Sequence, residues 1–189
     1  MVQGSGEFYP RGTHRTGATG RALHKTGARG PPSRPAPYNR PMSDSKTIKQ
    51  AAAERARKLG LPYAGALLPA EAAELMKAGV KLVDVRTKPE IQYVGRIPGS
   101  VEIEWQTWPG GKPNQGFLGE LEAAVGKDEP AMFICRSGAR SNGAAEAAHR
   151  AGWKEAYNVL EGFEGDKDPE NHRGTINGWR KAGLPWNQT

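Results

Sequence analysis

Ala131-Met132-Phe133-Ile134 is an unbroken apolar run that ends on Cys135, the only cysteine of the 189-residue chain. Pro130 precedes the run and Arg136-Ser137-Gly138 follows it. So short a stretch suits a strand covered on both faces, as in parallel sheets sandwiched between helices. The segments 80–85 (VKLVDV), 100–105 (SVEIEW, with apolar Val101, Ile103 and Trp105) and 155–160 (EAYNVL) also read as strands. A further apolar stretch, Ala66-Leu67-Leu68, precedes Pro69, which suits a first helical turn.

Helical signals lie between these strands. Thr47 to Leu59 carries Ala51, Ala52 and Ala53, then meets Gly60 and Pro62 as stops. Residues 70–79 end a second helix at Gly79, 88–95 form a short one, and 116–126 show helical spacing. Ser141 is placed to cap a helix running to Ala151 with Gly152 as its stop, and 175–183 reads as a last helix. Strands and helices alternating at short spacing predict a layered α/β domain with a mainly parallel sheet.

The formal charge of +7 is unevenly spread. Residues 1–41 hold seven basic side chains against one acid, Glu7, which leaves 20 basic and 19 acidic residues in the body. Rich in Gly, Pro, Thr and Arg, that segment has too few apolar groups to offset its ordering entropy, so disorder is expected there. Three roles compete for it: a basic arm for nucleic acid or an anionic surface, a targeting peptide, or an upstream extension before a natural start at Met42, the reading we favour. The expected division is a 1–41 extension, an N-terminal helix and linker at 42–61, and one domain over 62–189.

One cysteine excludes an intrachain disulfide and a multi-cysteine zinc site. No apolar run approaches the roughly 18 residues of a membrane span, and no signal-like apolar segment opens the chain. A cytoplasmic setting without membrane attachment is expected.

Cys135 stands at the carboxyl end of its strand, where parallel sheets gather their chemistry. The amides ahead of the next helix and the charges of Arg136 and Arg140 favour thiolate over thiol, and Gly138 permits a tight turn. The competing reading is an inert buried cysteine closing a strand.

The segments VDVRTKPEIQYVGRIPGSVEIEW (83–105) and FICRSGARS (133–141) together resemble the rhodanese sulfurtransferases. The family's strand-end aspartate and arginine match Asp84 and Arg86, and its acidic helix residue matches Glu90. Its Gly-His-Ile-Pro-Gly-Ala motif appears as Gly95-Arg96-Ile97-Pro98-Gly99-Ser100, with arginine for histidine and serine for alanine. EGFEG and NGWRKAGLPW are similar to the glycine-containing loop and the tryptophan helix that end such domains. The resemblance spans about residues 62–187 and implies a rhodanese-like five-stranded sheet with helices on both faces.

It also implies that Cys135 is the sulfur-accepting nucleophile, loaded to a persulfide by a small anionic donor such as thiosulfate and discharged by a thiol, cyanide or a protein acceptor. Arg136, Ser137, Gly138, Ala139 and Arg140 would bind the donor and cradle the persulfide, with Asp84, Arg86 and Ser141 supporting the site. No cofactor or metal is implied. Asp84 is expected to pair with an arginine, since a buried carboxylate is best tolerated so. Two alternatives remain: a cysteine phosphatase or arsenate reductase of the same fold, and a non-catalytic binding module. Against the phosphatase, four residues rather than five separate Cys135 from Arg140.

Other signals are set aside. Asp166, Asp168 and Glu170 alternate as in a calcium loop, but Asn171 replaces the needed glycine and Pro169 intrudes. Gly111-Lys112 lacks the following Ser or Thr of a phosphate loop and reads as a turn. His14, His24, His149 and His172 lack metal-ligand spacing. Trp153, Trp179 and Trp186 read as packing residues.

Overall fold

The computed structural model describes residues 44–188. The expectations for the basic extension and the Met42 start lie outside these residues. Chain order is α1 (Ser45–Lys58), β1 (Gly65–Leu67), α2 (Pro69–Lys77), β2 (Lys81–Asp84), α3 (Lys88–Val94), β3 (Val101–Glu102), β4 (Gln106–Thr107), β5 (Lys112–Pro113), α4 (Phe117–Ala124), β6 (Ala131–Ile134), α5 (Ala139–Arg150) and β7 (Ala156–Val159). Five strands form one sheet in the order β1-β7-β6-β2-β3, every neighbouring pair parallel. The cysteine strand β6 is central, so both its faces are covered, as its unbroken apolar run requires.

The period-2 alternation of a strand distributes the core to two sides. Val83, Phe133 and Ala156 join Phe117 and Leu121 of α4 and Ala144, Ala145 and Ala148 of α5 on one face. Leu82, Met132, Ile134, Tyr157 and Val159 meet Ile48 and Ala52 of α1 and Ala72 and Leu75 of α2 on the other. The N-terminal helix thus contributes to the core of the domain. Arg55 on α1 also bonds both carboxylate oxygens of Glu71 on α2 at 3.0 Å, and the carbonyl of Ala66. No helix among the described residues is long and apolar enough to cross a membrane.

Four local readings need correction. Residues 175–183 form a chain of turns instead of a helix. Gly174 and Gly178 take positive φ (80° and 97°), the Gly178 amide donates to Glu161, and the Asn177 side chain bonds Asp166, so backbone groups that a helix would use are engaged elsewhere. The strand expected over 100–105 ends at Glu102. Beyond it lies an unforeseen antiparallel hairpin, β4–β5, with a cis Trp108–Pro109 bond; Lys112 belongs to β5 and not to the turn itself.

The fourth correction concerns Ser141. Helix α5 begins three residues earlier than a Ser141 cap would place it, with Gly138 at the N-cap in a left-handed conformation (φ 95°). Ser141 therefore sits inside the first turn. Trp153 and Trp179 are fully buried packing residues, whereas Trp186 is exposed and stacks edge-on against Phe163.

Candidate active site

The end of β6 delivers Cys135 to the start of α5, and the loop between them is held from three sides. From below, the segment after β7 donates the Phe163 amide to the Cys135 carbonyl (2.8 Å) and the Glu164 amide to the Arg136 carbonyl (2.9 Å). Gly162, at φ 67°, lies so close that a Cβ there would meet Cys135, Arg136 and Ser137 backbone at 2.6 Å. From the sheet, the buried Asn158 side chain of β7 donates to the Gly138 carbonyl at 3.3 Å. Within the loop, the Ser141 hydroxyl lies 3.1 Å from that carbonyl and 3.3 Å from Cys135 Sγ, so its single proton serves one acceptor or the other.

The Gly138 amide and the Ser141 hydroxyl both approach the sulfur. The Gly138 amide stands 3.2 Å from Cys135 Sγ and the Ser141 hydroxyl 3.3 Å. The first amides of α5, at Ala139, Arg140 and Ser141, have no intrahelical acceptor and carry the positive end of the helix dipole. Cys135 is 1% exposed and belongs to the lining of a cavity of about 540 Å3. Its walls are the cysteine loop, Thr87 and Glu90 of the α3 start, and the β4–β5 hairpin.

The two loop arginines differ in setting. Arg136 is exposed and makes no ion pair among the described residues. Arg140 forks onto Glu90, with Nη1 donating to Oε2 at 2.7 Å and Nη2 to Oε1 at 2.6 Å. Glu90 also closes a capping box on α3, accepting from the Thr87 amide (3.0 Å) and hydroxyl (2.8 Å). Burial pushes the Glu90 pKa up, but the hydrogen bonds from Arg140 and Thr87 outweigh it and hold the carboxyl down at about 2. Arg140 is raised above its ordinary value, chiefly by its hydrogen bonds to Glu90. The formal cation left uncompensated at the cavity is therefore Arg136.

Asp84 and Arg86 lie outside the cavity wall. Both are fully buried, and Arg86 bonds Asp84 with Nη2 at 2.6 Å and Nε at 2.9 Å while Nη2 also reaches the Gly95 carbonyl at 2.8 Å. The guanidinium stacks on Phe163 with 3.9 Å to the ring centroid. This pair joins β2, the α3 end and the post-β7 segment beneath the cysteine loop.

A match to the rhodanese-like domain covers residues 68–168, more than half the chain. The chain belongs to the rhodanese-like domain family. Among solved structures, Rv0390 from M. tuberculosis is similar at 45% identity and a TM-score of 0.62, covering 67% of this chain and 99% of that one. The uncharacterized Rickettsia conorii protein RC0915 is 34% identical over 109 residues, 56% of this chain and 80% of its own. The uncharacterized RP600 of Rickettsia prowazekii is 34% identical over 107 residues, with the same shares.

Within this rhodanese-like frame the structure gathers Cys135, Arg136, Ser137, Ala139 and Arg140 at one cavity. Gly138 and Ser141 lie behind the sulfur, and Asp84 and Arg86 are set apart as support. Sequence reasoning passed over Gly162, Asn158 and the hairpin. Gly162 carried a signal, since it stands in the EGFEG segment. Asn158 carried one too, as a polar residue inside an apolar strand run.

Proposed function

We propose that this rhodanese-like protein is a sulfurtransferase working through a persulfide on Cys135. The carrying observation is a lone cysteine sulfur, 3.2 Å from the Gly138 amide and 3.3 Å from the Ser141 hydroxyl, in the lining of a cavity in front of a helix N-terminus. In the first half-reaction the Cys135 thiolate attacks the outer sulfur of thiosulfate. A new S–S bond forms, the donor S–S bond breaks, and sulfite leaves with the bonding pair. In the second, an acceptor nucleophile attacks the outer sulfur of the persulfide, and the Cys135 thiolate departs with the electron pair. Covalent relay of this kind gives double-displacement kinetics.

The Gly138 amide and the α5 dipole stabilise both the thiolate and the persulfide anion. Arg136 draws the anionic donor toward the cavity. Arg140, fixed by its two hydrogen bonds to Glu90, supplies part of the cavity lining. The relay needs no resident cofactor, because the intermediate is covalent. Four residues between Cys135 and Arg140 make a loop that suits one added sulfur atom rather than a tetrahedral phosphoryl group.

Steady-state thiocyanate formation from thiosulfate and cyanide tests the reading. Parallel lines in double-reciprocal plots, abolished in Cys135→Ser, are the expected result. Phosphate release from an aryl phosphate that depends on Cys135, with no thiocyanate formed, would overturn it in favour of phosphoryl chemistry.

A further inference from the structure

A second cavity, of about 350 Å3, opens beside the β2–α3 junction. Arg86 and Lys88 line it, whereas Thr87 between them lines the cysteine cavity, and the two cavities share no residue. Ile91 of α3, Arg96, Glu102 and Glu104 complete most of its wall. Two guanidinium nitrogens of this wall, Arg86 Nη1 and Arg96 Nε, are buried and have no hydrogen-bond partner among the described residues. Arg86 is fully buried and spends Nε on Asp84 and Nη2 on Asp84 and the Gly95 carbonyl, which leaves Nη1 as its unused edge. Arg96 Nε comes no nearer than 3.5 Å to Glu102. A buried donor on a charged group costs free energy until it meets an acceptor, so two of them at one cavity point to a ligand that supplies one.

The same wall carries acids. Glu104 accepts from the Lys88 amide at 2.7 Å but pairs with no cation among the described residues, and Glu102 has only its loose contact with Arg96. A plain anion would be repelled by these two carboxylates, and a plain cation by the guanidinium pair. A molecule bearing both charges suits both sets of groups, and the cavity is of a size for a small organic one.

We propose that this cavity binds a small α-amino acid as its zwitterion. The carboxylate accepts from Arg86 Nη1 and Arg96 Nε, the ammonium donates to Glu104, and a short side chain lies against Ile91, which is 3% exposed. The Arg96 and Glu102 side chains are 42% and 36% exposed, so their contact is weak and can part to admit the ligand. Arg96 stands where the family motif has histidine, a ring that offers no guanidinium edge. The inference does not depend on the sulfur-transfer reading, because no residue of the cysteine cavity takes part.

The test follows backbone amide shifts of the isotope-labelled full chain during titration with L-alanine, with acetate and with ethylammonium. L-Alanine should move the amides of Lys88, Ile91 and Arg96, leave those of Ser137 and Arg140 in place, and bind about tenfold more tightly than either half-molecule. Arg96→Lys keeps a cation opposite Glu102 but removes the guanidinium edge, and should weaken L-alanine about tenfold. Glu104→Gln should weaken L-alanine by a similar factor while acetate binding stays within about twofold. Acetate binding as tightly as L-alanine, no shift with L-alanine, or shifts confined to the cysteine loop would each overturn the inference. So would wild-type affinity for L-alanine in either variant. The comparison of L-alanine with its two halves needs no variant, so it decides even where a variant fails to fold.

Discussion

Gly162 packs against the backbone carbonyl of Cys135: a methyl group added to it would stand 2.6 Å from that oxygen. The neighbouring atoms are main chain, which cannot swing aside as a flexible side chain would. The catalytic loop is thus moulded over a bare α-carbon from the segment after β7, and hydrogen bonds from Phe163 and Glu164 fix it there.

Gly162→Ala is expected to destabilise the domain by about 2–4 kcal/mol and to lower sulfur transfer in whatever fraction stays folded. Gly60 offers a matched control, because it has the same φ of 67° with nothing within 4 Å of an added Cβ. Gly60→Ala should cost only about 1 kcal/mol, the backbone contribution alone. Urea denaturation of both variants checks this, and equal losses would mean that the contact with the cysteine loop is unimportant.

Glu90 gives a pH-dependent prediction. Its folded-state pKa, about 2, lies below its ordinary 4.5. A depressed carboxyl stabilises the fold fully above the unfolded value, and that stabilisation drains away as pH falls through the folded one. Glu90→Gln should therefore cost about 1–3 kcal/mol near neutrality, with the gap to wild type closing between pH 4.5 and 2. Denaturant midpoints measured across that range supply the check; a gap independent of pH would contradict the ion-pair account.

The Asp84–Arg86 pair is fully buried on both sides. Asp84→Asn leaves a guanidinium in the interior without its counter-charge, at an expected cost of about 3–5 kcal/mol. Thermal unfolding should show the loss even though Asp84 does not line the cavity. A change below about 1 kcal/mol would indicate that the pair is dispensable to the fold.

Arg136→Gln addresses the donor. As the uncompensated cation beside the cavity, Arg136 should account for most of the electrostatic attraction, so its removal raises KM for thiosulfate by about three- to tenfold and flattens the dependence on ionic strength. The salt series on wild type and variant decides it. An unchanged KM with the wild-type salt slope would move the attraction elsewhere.

Much of this arrangement is legible in the chain. The apolar runs that became β2, β6 and β7 are covered on both faces, and such runs announce themselves without periodicity. Cys135, Gly138 and the helix after them follow from the same reading, as does the pairing of Asp84 with arginine. What escaped depends on contacts between distant segments. The 175–183 stretch has helix-forming residues, yet Asn177 and Gly178 are captured by Asp166 and Glu161, which no local propensity reveals. The hairpin strands are two residues each, too short for any alternation to register. Ser141 reads as a cap because it is a capping-type residue just ahead of the alanine-rich stretch, whereas Gly138, free to adopt positive φ, opens the helix a turn sooner and leaves the serine hydroxyl between its carbonyl and the sulfur.

The most direct test of the sulfur relay is the intact mass of the protein after incubation with thiosulfate and removal of excess donor. Wild type should gain the mass of one sulfur atom and lose it again on addition of cyanide. Cys135→Ser, whose hydroxyl can still accept from the Gly138 amide, should stay within about 1 kcal/mol of wild-type stability and gain nothing. A folded wild type that takes up no sulfur, or a sulfur gain that survives in Cys135→Ser, would contradict the account.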